Sequence, residues 1–235
     1  ADRNPTYKDL QLALNRAEDL FIKTNLPSGK QKVDELLKVT WSSEHNMGVQ
    51  IMQSDSTLES PDYDRAATHF NNATVILPDT AISYKMEARA YYKSGKNDRA
   101  LNALEEASNQ IENLPTEMLE QMAFLYLETG QPQKAVTVYE EAESFTANNL
   151  NIIHGLANAY IEAGEHQKAV VLLKRLVDNE PDNIVYAQTL ATEYYHLGSV
   201  KLLEFVGDNS SNEQDILAEA DSLFDSAGNQ FERFL

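Results

Sequence analysis

The side chains most able to carry chemistry in this 235-residue sequence are its five histidines, yet their spacing does not bring them together. A helix places two metal-binding side chains on one face when they lie three or four residues apart. No two histidines have that spacing, and cysteine is absent, which excludes zinc–thiolate sites and cysteine nucleophiles. We therefore expect no metal site and no cofactor. The histidines are His45, His69, His154, His166 and His196.

Motifs that bind phosphate or activate a nucleophile are also absent. The sequence has no Gly-x-x-x-x-Gly-Lys loop, no Gly-x-Gly-x-x-Gly loop and no Gly-x-Ser-x-Gly turn. The carboxylate pairs Glu105/Glu106 and Glu140/Glu141 are expected to be solvated surface rather than acid–base pairs. We predict no catalytic residue and no enzyme activity, since an enzyme or small-ligand binder would need a closed pocket, for example around His154 or His196.

The elements that position these side chains are internal repeats with a period of 34 to 35 residues. In each repeat an alanine is followed four residues later by a large apolar residue, and three residues after that by a small or apolar one. A glycine stands five residues before the last three of these alanines, and a tyrosine four residues before each glycine. Offsets of three and four lie on one helical face, so each unit is predicted to be two antiparallel helices joined at the glycine. The triplets are Ala66/Phe70/Ala73, Ala100/Leu104/Ala107, Ala135/Tyr139/Ala142 and Ala169/Leu173/Leu176, and the glycines are Gly95, Gly130 and Gly164.

This period and pattern resemble the tetratricopeptide repeat (TPR) family. The resemblance implies an all-α fold, a right-handed α-solenoid of helix-turn-helix repeats in which stacked hairpins bury one core. We predict a single solenoid over residues 1–235, with an expanded N-terminal cap in 1–60, regular repeats in 61–198 and an expanded C-terminal cap in 199–235. The alternative for the expanded ends is that their long helices dock a second chain through Trp41, or through Phe205 and Val206.

The resemblance also implies a binding surface. In the TPR family the first helix of each repeat lines an inner groove, and ligand contacts come mainly from positions ten, six, three and two residues before the turn glycine. The resulting ligand- or peptide-binding candidates are Lys85, Arg89, Tyr92, Lys93, Phe124, Leu127, His154, Asn158, Thr192 and Tyr195.

Three of these candidates, Lys85, Arg89 and Lys93, are spaced at four residues and form one basic stripe. One interpretation is that the stripe holds a carboxylate or an acidic peptide segment. The other, which we favour, is that it pairs with nearby glutamates and keeps the face soluble. The glutamates in question are Glu87, Glu117 and Glu120.

The overall charge narrows the class of partner. With 19 basic and 37 acidic residues the net charge is −18, which argues against nucleic acid and anionic membranes as partners. No apolar run approaches the roughly 18 residues needed to span a bilayer, so we expect no membrane insertion. Acidity without cysteine favours a bacterial exported or periplasmic protein, with the cytoplasm as the alternative.

Together these observations predict a non-catalytic protein–protein interaction scaffold that binds a peptide or protein segment in the groove. The partner is expected to be acidic or to bear a carboxylate. The alternative function is structural self-association into a homo-oligomer through the expanded end helices.

Overall fold

The computed structural model describes residues 5–54, 60–146, 148–207 and 213–232, and every regular element within these ranges is an α-helix. The helices form two compact units, the first ending at Thr129 and the second beginning at Gly130. A single continuous solenoid over 1–235 remains a prediction. The first unit contains α1 (Pro5–Lys23), α2 (Pro27–Gln53), α3 (Tyr63–Ile76), α4 (Ala81–Lys93), α5 (Asn97–Gln110) and α6 (Thr116–Glu128). The second contains α7 (Pro132–Phe145), α8 (Leu150–Glu162), α9 (His166–Asn179), α10 (Ile184–Gly207) and α11 (Glu213–Glu232).

Alanines mark where the helices approach each other most closely. The repeat alanines that begin each triplet are completely buried, because only a small side chain lets two helix axes come together. The tyrosines of the first helices are buried beside them and fill the remaining space. Within the two units, the predicted helix pairs α4–α5 and α8–α9 are therefore confirmed. The alanines are Ala66, Ala100, Ala135 and Ala169, and the tyrosines are Tyr91, Tyr126, Tyr160 and Tyr194.

The predicted turn glycines end their helices in a left-handed conformation. Gly95 and Gly164 have φ values of 74° and 76°, which glycine adopts without steric cost. After α4, the N–H of Lys96 donates to the carbonyl of Tyr91 at 2.9 Å, and that of Gly95 to Tyr92 at 3.0 Å. This pair of bonds is a Schellman cap, which satisfies carbonyls that the end of a helix leaves without a partner.

Gly198 behaves differently from the other repeat glycines. Helix α10 continues through it to Gly207, so the boundary predicted after residue 198 falls inside a helix. A Cβ atom at Gly198 would lie 2.9 Å from the Phe224 ring, so glycine here permits close packing of α11 rather than a turn. No proline or helix-capping residue follows to stop the helix. The extra residues of this unit thus lengthen its first helix, which has 24 residues against 13 in α4.

The N-terminal end has the same arrangement. Helix α2 has 27 residues, and its interior Gly48 faces the ring of the fully buried Phe70 on α3. A Cβ atom at Gly48 would lie 2.8 Å from that ring. Both expanded units therefore pair a long first helix with a second helix whose phenylalanine packs on a glycine.

A buried carboxylate joins the first three helices. Glu44 of α2 accepts a hydrogen bond from the Tyr7 hydroxyl of α1 at 2.7 Å and from the Asn72 amide of α3 at 2.9 Å. Its second oxygen also lies 2.9 Å from His69 Nδ1. Burial alone would raise the pKa of Glu44, but the hydrogen bonds from Asn72, Tyr7 and His69 outweigh burial and hold it below its usual value. The hydrogen bond to Glu44, with burial, raises the pKa of Tyr7 to about 12.

Tyrosine–glutamate bonds link neighbouring helices within each unit. The Tyr126 hydroxyl donates to Glu105 at 2.8 Å, and the Tyr160 hydroxyl donates to Glu140 at 2.6 Å. Burial, and then these bonds, raise the pKa of both tyrosines. Glu140 is exposed, as expected for solvated surface, whereas Glu105 is half-buried, and each accepts a hydrogen bond from a tyrosine hydroxyl of the following helix.

We predict that Gly48→Ala destabilises the protein although alanine is the better helix former. The new methyl group meets the Phe70 ring, and overpacking of this kind costs about 1–3 kcal/mol against a helix gain of up to about 1 kcal/mol. Urea denaturation followed by circular dichroism should show a net loss of about 1 kcal/mol. Gly228→Ala is the matched control, since nothing lies within 4 Å of a Cβ there. It should raise stability, and a stabilised Gly48→Ala would contradict the packing argument.

We also predict that Glu44→Gln destabilises the protein at neutral pH by about 1–3 kcal/mol. The side-chain amide of the glutamine would place its own N–H donor against the groups that now donate hydrogen bonds to Glu44. A carboxyl whose pKa is lower in the folded than in the unfolded protein stabilises above its unfolded pKa. That stabilisation is lost as the pH falls through the folded pKa. The difference between wild type and variant should therefore stay constant from neutral pH down to about pH 5, and shrink as the pH falls below the ordinary carboxyl pKa of about 4.3. Fluorescence of Trp41, the single tryptophan, would follow unfolding of this region in urea. A difference that does not change with pH would count against Glu44 as the titrating group.

Candidate functional site

The strongest candidate surface lies between α4 and α6 in the first unit. Six residues line a hollow of about 150 Å³ there, which we call the α4–α6 hollow. The rings of Tyr92 and Phe124 meet edge to face at its wall, with centroids 5.7 Å apart. Both rings keep a large exposed fraction, 41% for Tyr92 and 38% for Phe124. The lining residues are Ala88, Arg89, Tyr92, Gln121, Phe124 and Leu125.

The basic stripe divides into one paired and two unpaired cations. Lys85 Nζ lies 2.9 Å from a carboxylate oxygen of Glu117, which joins α4 to α6. Arg89 and Lys93 are exposed, and neither makes an ion pair with any residue that the structure describes. Glu87 is buried and accepts a hydrogen bond from Asn71 of α3. The pairing interpretation thus holds for Lys85 alone.

Leu127 is the candidate on α6 that does not line the hollow. It lies nearly one turn beyond Phe124 and is half-buried. Leu125, which the offsets from the turn glycine did not select, lines the hollow instead. The predicted and observed lining residues differ because the hollow opens between two helices. The offsets from the turn glycine describe positions along a single helix.

In the second unit, two of the predicted residues form a small polar and aromatic cluster on α8. Asn158 Nδ2 lies 3.2 Å from His154 Nε2, and the His154 ring meets Tyr186 of α10 edge to face at 5.4 Å. His154 and Asn158 are both half-buried. Their polar atoms therefore contact each other and keep part of their surface accessible.

The other two candidates of this unit lie on the exposed side of α10. The Thr192 hydroxyl donates to the carbonyl of Gln188 at 2.9 Å, so it is satisfied within its own helix. Tyr195 is 61% exposed, and its ring lies 5.4 Å from that of Phe224. Of the two, only Tyr195 presents a large surface to a partner.

A serine–histidine pair that the sequence did not indicate occurs in the first unit. Ser83 Oγ lies 3.1 Å from His45 Nδ1 and accepts the indole N–H of Trp41 at 2.9 Å. Burial lowers the pKa of His45. Ser83 is completely buried, so no substrate can reach its hydroxyl and the pair serves to hold Trp41. Trp41 is half-buried, since it stacks on His45 and packs against the core cluster of Val33, Leu37 and Ile76, and its docking of a second chain stays an alternative prediction. The side chains of Phe205 and Val206 lie outside the described residues.

The described residues contain neither a cluster of metal ligands nor a membrane-spanning helix. Within them, no group of three or more histidine, aspartate or glutamate side chains is arranged to hold a metal ion. None of the described helices is long and apolar enough to cross a bilayer.

Comparison with known proteins identifies the repeat. The sequence model of the family described as tetratricopeptide repeat matches residues 126–193. No curated protein sequence matches the chain.

Solved structures share the fold at low sequence identity. YrrB, described as a TPR protein with an unusual peptide-binding site, is 13% identical with a TM-score of 0.59; the match covers 86% of this chain and 97% of that one. A MamA structure is 16% identical with a TM-score of 0.58, covering 82% and 94%. MamA from Desulfovibrio magneticus RS-1 is 14% identical with a TM-score of 0.57, covering 83% and 97%. The family model places a tetratricopeptide repeat at residues 126–193, and the repeat pattern, the helix pairs and these likenesses agree that the chain has an all-α, α-solenoid fold of the tetratricopeptide-repeat type.

Proposed function

We propose that the chain is a non-catalytic interaction scaffold that binds a peptide segment of a partner protein at the α4–α6 hollow. The observation that carries the proposal is the exposed Tyr92–Phe124 pair beside the unpaired Arg89. Aromatic rings lose little conformational entropy on binding and offer a large apolar surface, which is why they dominate many interfaces. The hollow has room for one apolar side chain of a bound segment.

The charges around the hollow define the second requirement for a partner. Arg89 can hold a carboxylate with two parallel hydrogen bonds, and Lys93, one turn further along α4, adds a second positive charge. The net charge of −18, however, repels a strongly acidic segment at long range. We therefore expect a ligand with one or two carboxylates next to a large apolar side chain rather than a run of acidic residues.

Relatives of the same fold support this kind of function. YrrB is described as having a peptide-binding site, and it matches most of this chain in structure. At 13% identity the likeness concerns the fold, so the residues of the site are argued from this chain alone.

We predict that peptides selected on this protein from a random phage-displayed library will carry such a carboxylate and apolar side chain. Binding of a labelled, selected peptide, measured by fluorescence polarisation, should weaken about tenfold or more in Arg89→Glu/Lys93→Glu and in Phe124→Ala. The double variant removes the carboxylate contact, and Phe124→Ala removes one wall of the hollow.

The matched control is Lys32→Glu/Lys38→Glu on α2. It changes the net charge by the same amount, from −18 to −22, because two positive charges become two negative ones in each variant. Equal weakening in both double variants would show a general charge effect and contradict a site at the hollow. A selection that yields no binding peptide would also contradict the proposal.

Self-association through an expanded end is the second candidate function. It is favoured by α10, where Leu203 is 72% exposed and Val200, one turn away, is also exposed. If this face joins two copies, sedimentation velocity should show a mass that rises with concentration and falls back in Leu203→Glu. Leu12→Glu on α1 is the control, since it changes an exposed leucine elsewhere. A strict monomer at all concentrations would exclude this function.

A further inference from the structure

Two histidines of the second unit meet between helices although they are far apart in the sequence. His166 begins α9 and His196 lies on α10, and their ring centroids are 4.0 Å apart with a tilt of 46°. His196 is exposed and His166 is half-buried, so a solvent ion can reach both rings. The spacing rule for a single helix could not detect this pair, because it forms across two packed helices.

A buried carboxylate holds one of the two rings. Glu193 is 5% exposed, and its oxygen lies 2.7 Å from His166 Nδ1. An ionised carboxylate can only accept a hydrogen bond, so Nδ1 carries the proton and donates it. In the neutral ring the lone pair then belongs to Nε2. A carboxylate that fixes the tautomer and orientation of an imidazole in this way is a common partner of metal-binding histidines.

A second histidine–carboxylate contact in the protein shows what is particular to this one. His69 also contacts a buried carboxylate, that of Glu44. The two Glu44 oxygens, however, also accept hydrogen bonds from Tyr7 and Asn72. Among the described residues, no imidazole ring stacks on His69, whereas His166 has His196 beside it. Within that part of the chain, only the His166 site combines an oriented ring with a second, accessible ring.

We propose that His166 and His196 bind one divalent transition-metal ion, with Glu193 as a positioning residue behind His166. Imidazole nitrogen suits Zn²⁺, Ni²⁺ and Cu²⁺, and the negative net charge of the chain raises the local concentration of cations. Two nitrogens that each lie about 2.1 Å from a tetrahedral ion are about 3.4 Å apart. The 4.0 Å between the ring centroids is closer than two imidazoles lie when they bind one ion, so binding requires the exposed His196 to rotate away from the stack until its nitrogen faces Nε2 of His166.

The predicted coordination is open. Two imidazoles supply half of a tetrahedral shell, and water completes it, which agrees with the absence of a three-residue ligand group among the described residues. The ion is therefore held less tightly than in a closed structural site. The open positions would be available to a ligand from a bound partner.

The experiment is calorimetric titration of the untagged protein with Zn²⁺, and separately with Ni²⁺. We expect one ion per chain in the wild type and at least tenfold weaker binding in His166→Ala and in His196→Ala. Glu193→Gln should weaken binding by about 10–100-fold, because a glutamine fixes the His166 tautomer less strongly. His154→Ala is the control for a histidine of the same unit outside the site, and it should bind as the wild type does.

A second measurement does not depend on the variants folding. In histidine-ring NMR spectra of the wild type, Zn²⁺ should shift the signals of His166 and His196 and leave those of His154 unchanged. The proposal is overturned if the wild type binds neither metal, if His196→Ala retains full affinity, or if the ring signals of His166 and His196 do not respond. Unchanged affinity in Glu193→Gln would overturn the role of the carboxylate.

Discussion

Close contact between paired helices is the constraint on which the rest of this structure depends. Completely buried alanines, as at Ala100, allow the backbones to approach, and large side chains from the neighbouring helix then fill the grooves beside them. A hairpin of this kind has an apolar face that it cannot bury alone, so each hairpin needs the next. The expanded units meet the same constraint with glycine, because a phenylalanine ring packs directly on the helix backbone at Gly48 and Gly198.

Polar side chains have a different task, which is to fix the orientation of helices that apolar contacts already hold together. Tyr126 and Tyr160 reach back to a glutamate of the preceding helix, and Glu44 gathers donors from the helices on either side of it. Polar groups lose their hydrogen bonds to water when they are buried. Each of these bonds therefore avoids the free-energy cost of an unsatisfied polar group, as well as adding a contact. Arg89 and Lys93 differ because nothing in the described protein balances them. In an acidic chain, exposed cations without an ion pair are strong candidates for contact with a partner.

The sequence predicted the fold better than the site. Period and residue type located the helix pairs and the left-handed turn at Gly95, because both depend on fixed offsets along one chain. The same offsets were misleading at Gly198, where a phenylalanine some 26 residues later decides that the helix continues. The Trp41–Ser83 contact and the His166–His196 pair were not predicted, for a related reason. Their contacts lie between helices, and the crossing geometry that creates them does not repeat along the sequence.

The first helix shows a further consequence of the different roles of apolar and polar contacts. None of the described residues of α1 is fully buried, and the helix is held by a half-buried apolar stripe and by the Tyr7–Glu44 bond. Helices with few buried contacts exchange their amide hydrogens through local opening, at a lower free energy than the rest of the domain. α1 should therefore open and close over α2 and α3 while they remain folded. Its amides would report an acid-sensitive local equilibrium, distinct from the cooperative unfolding of the hairpins beneath it.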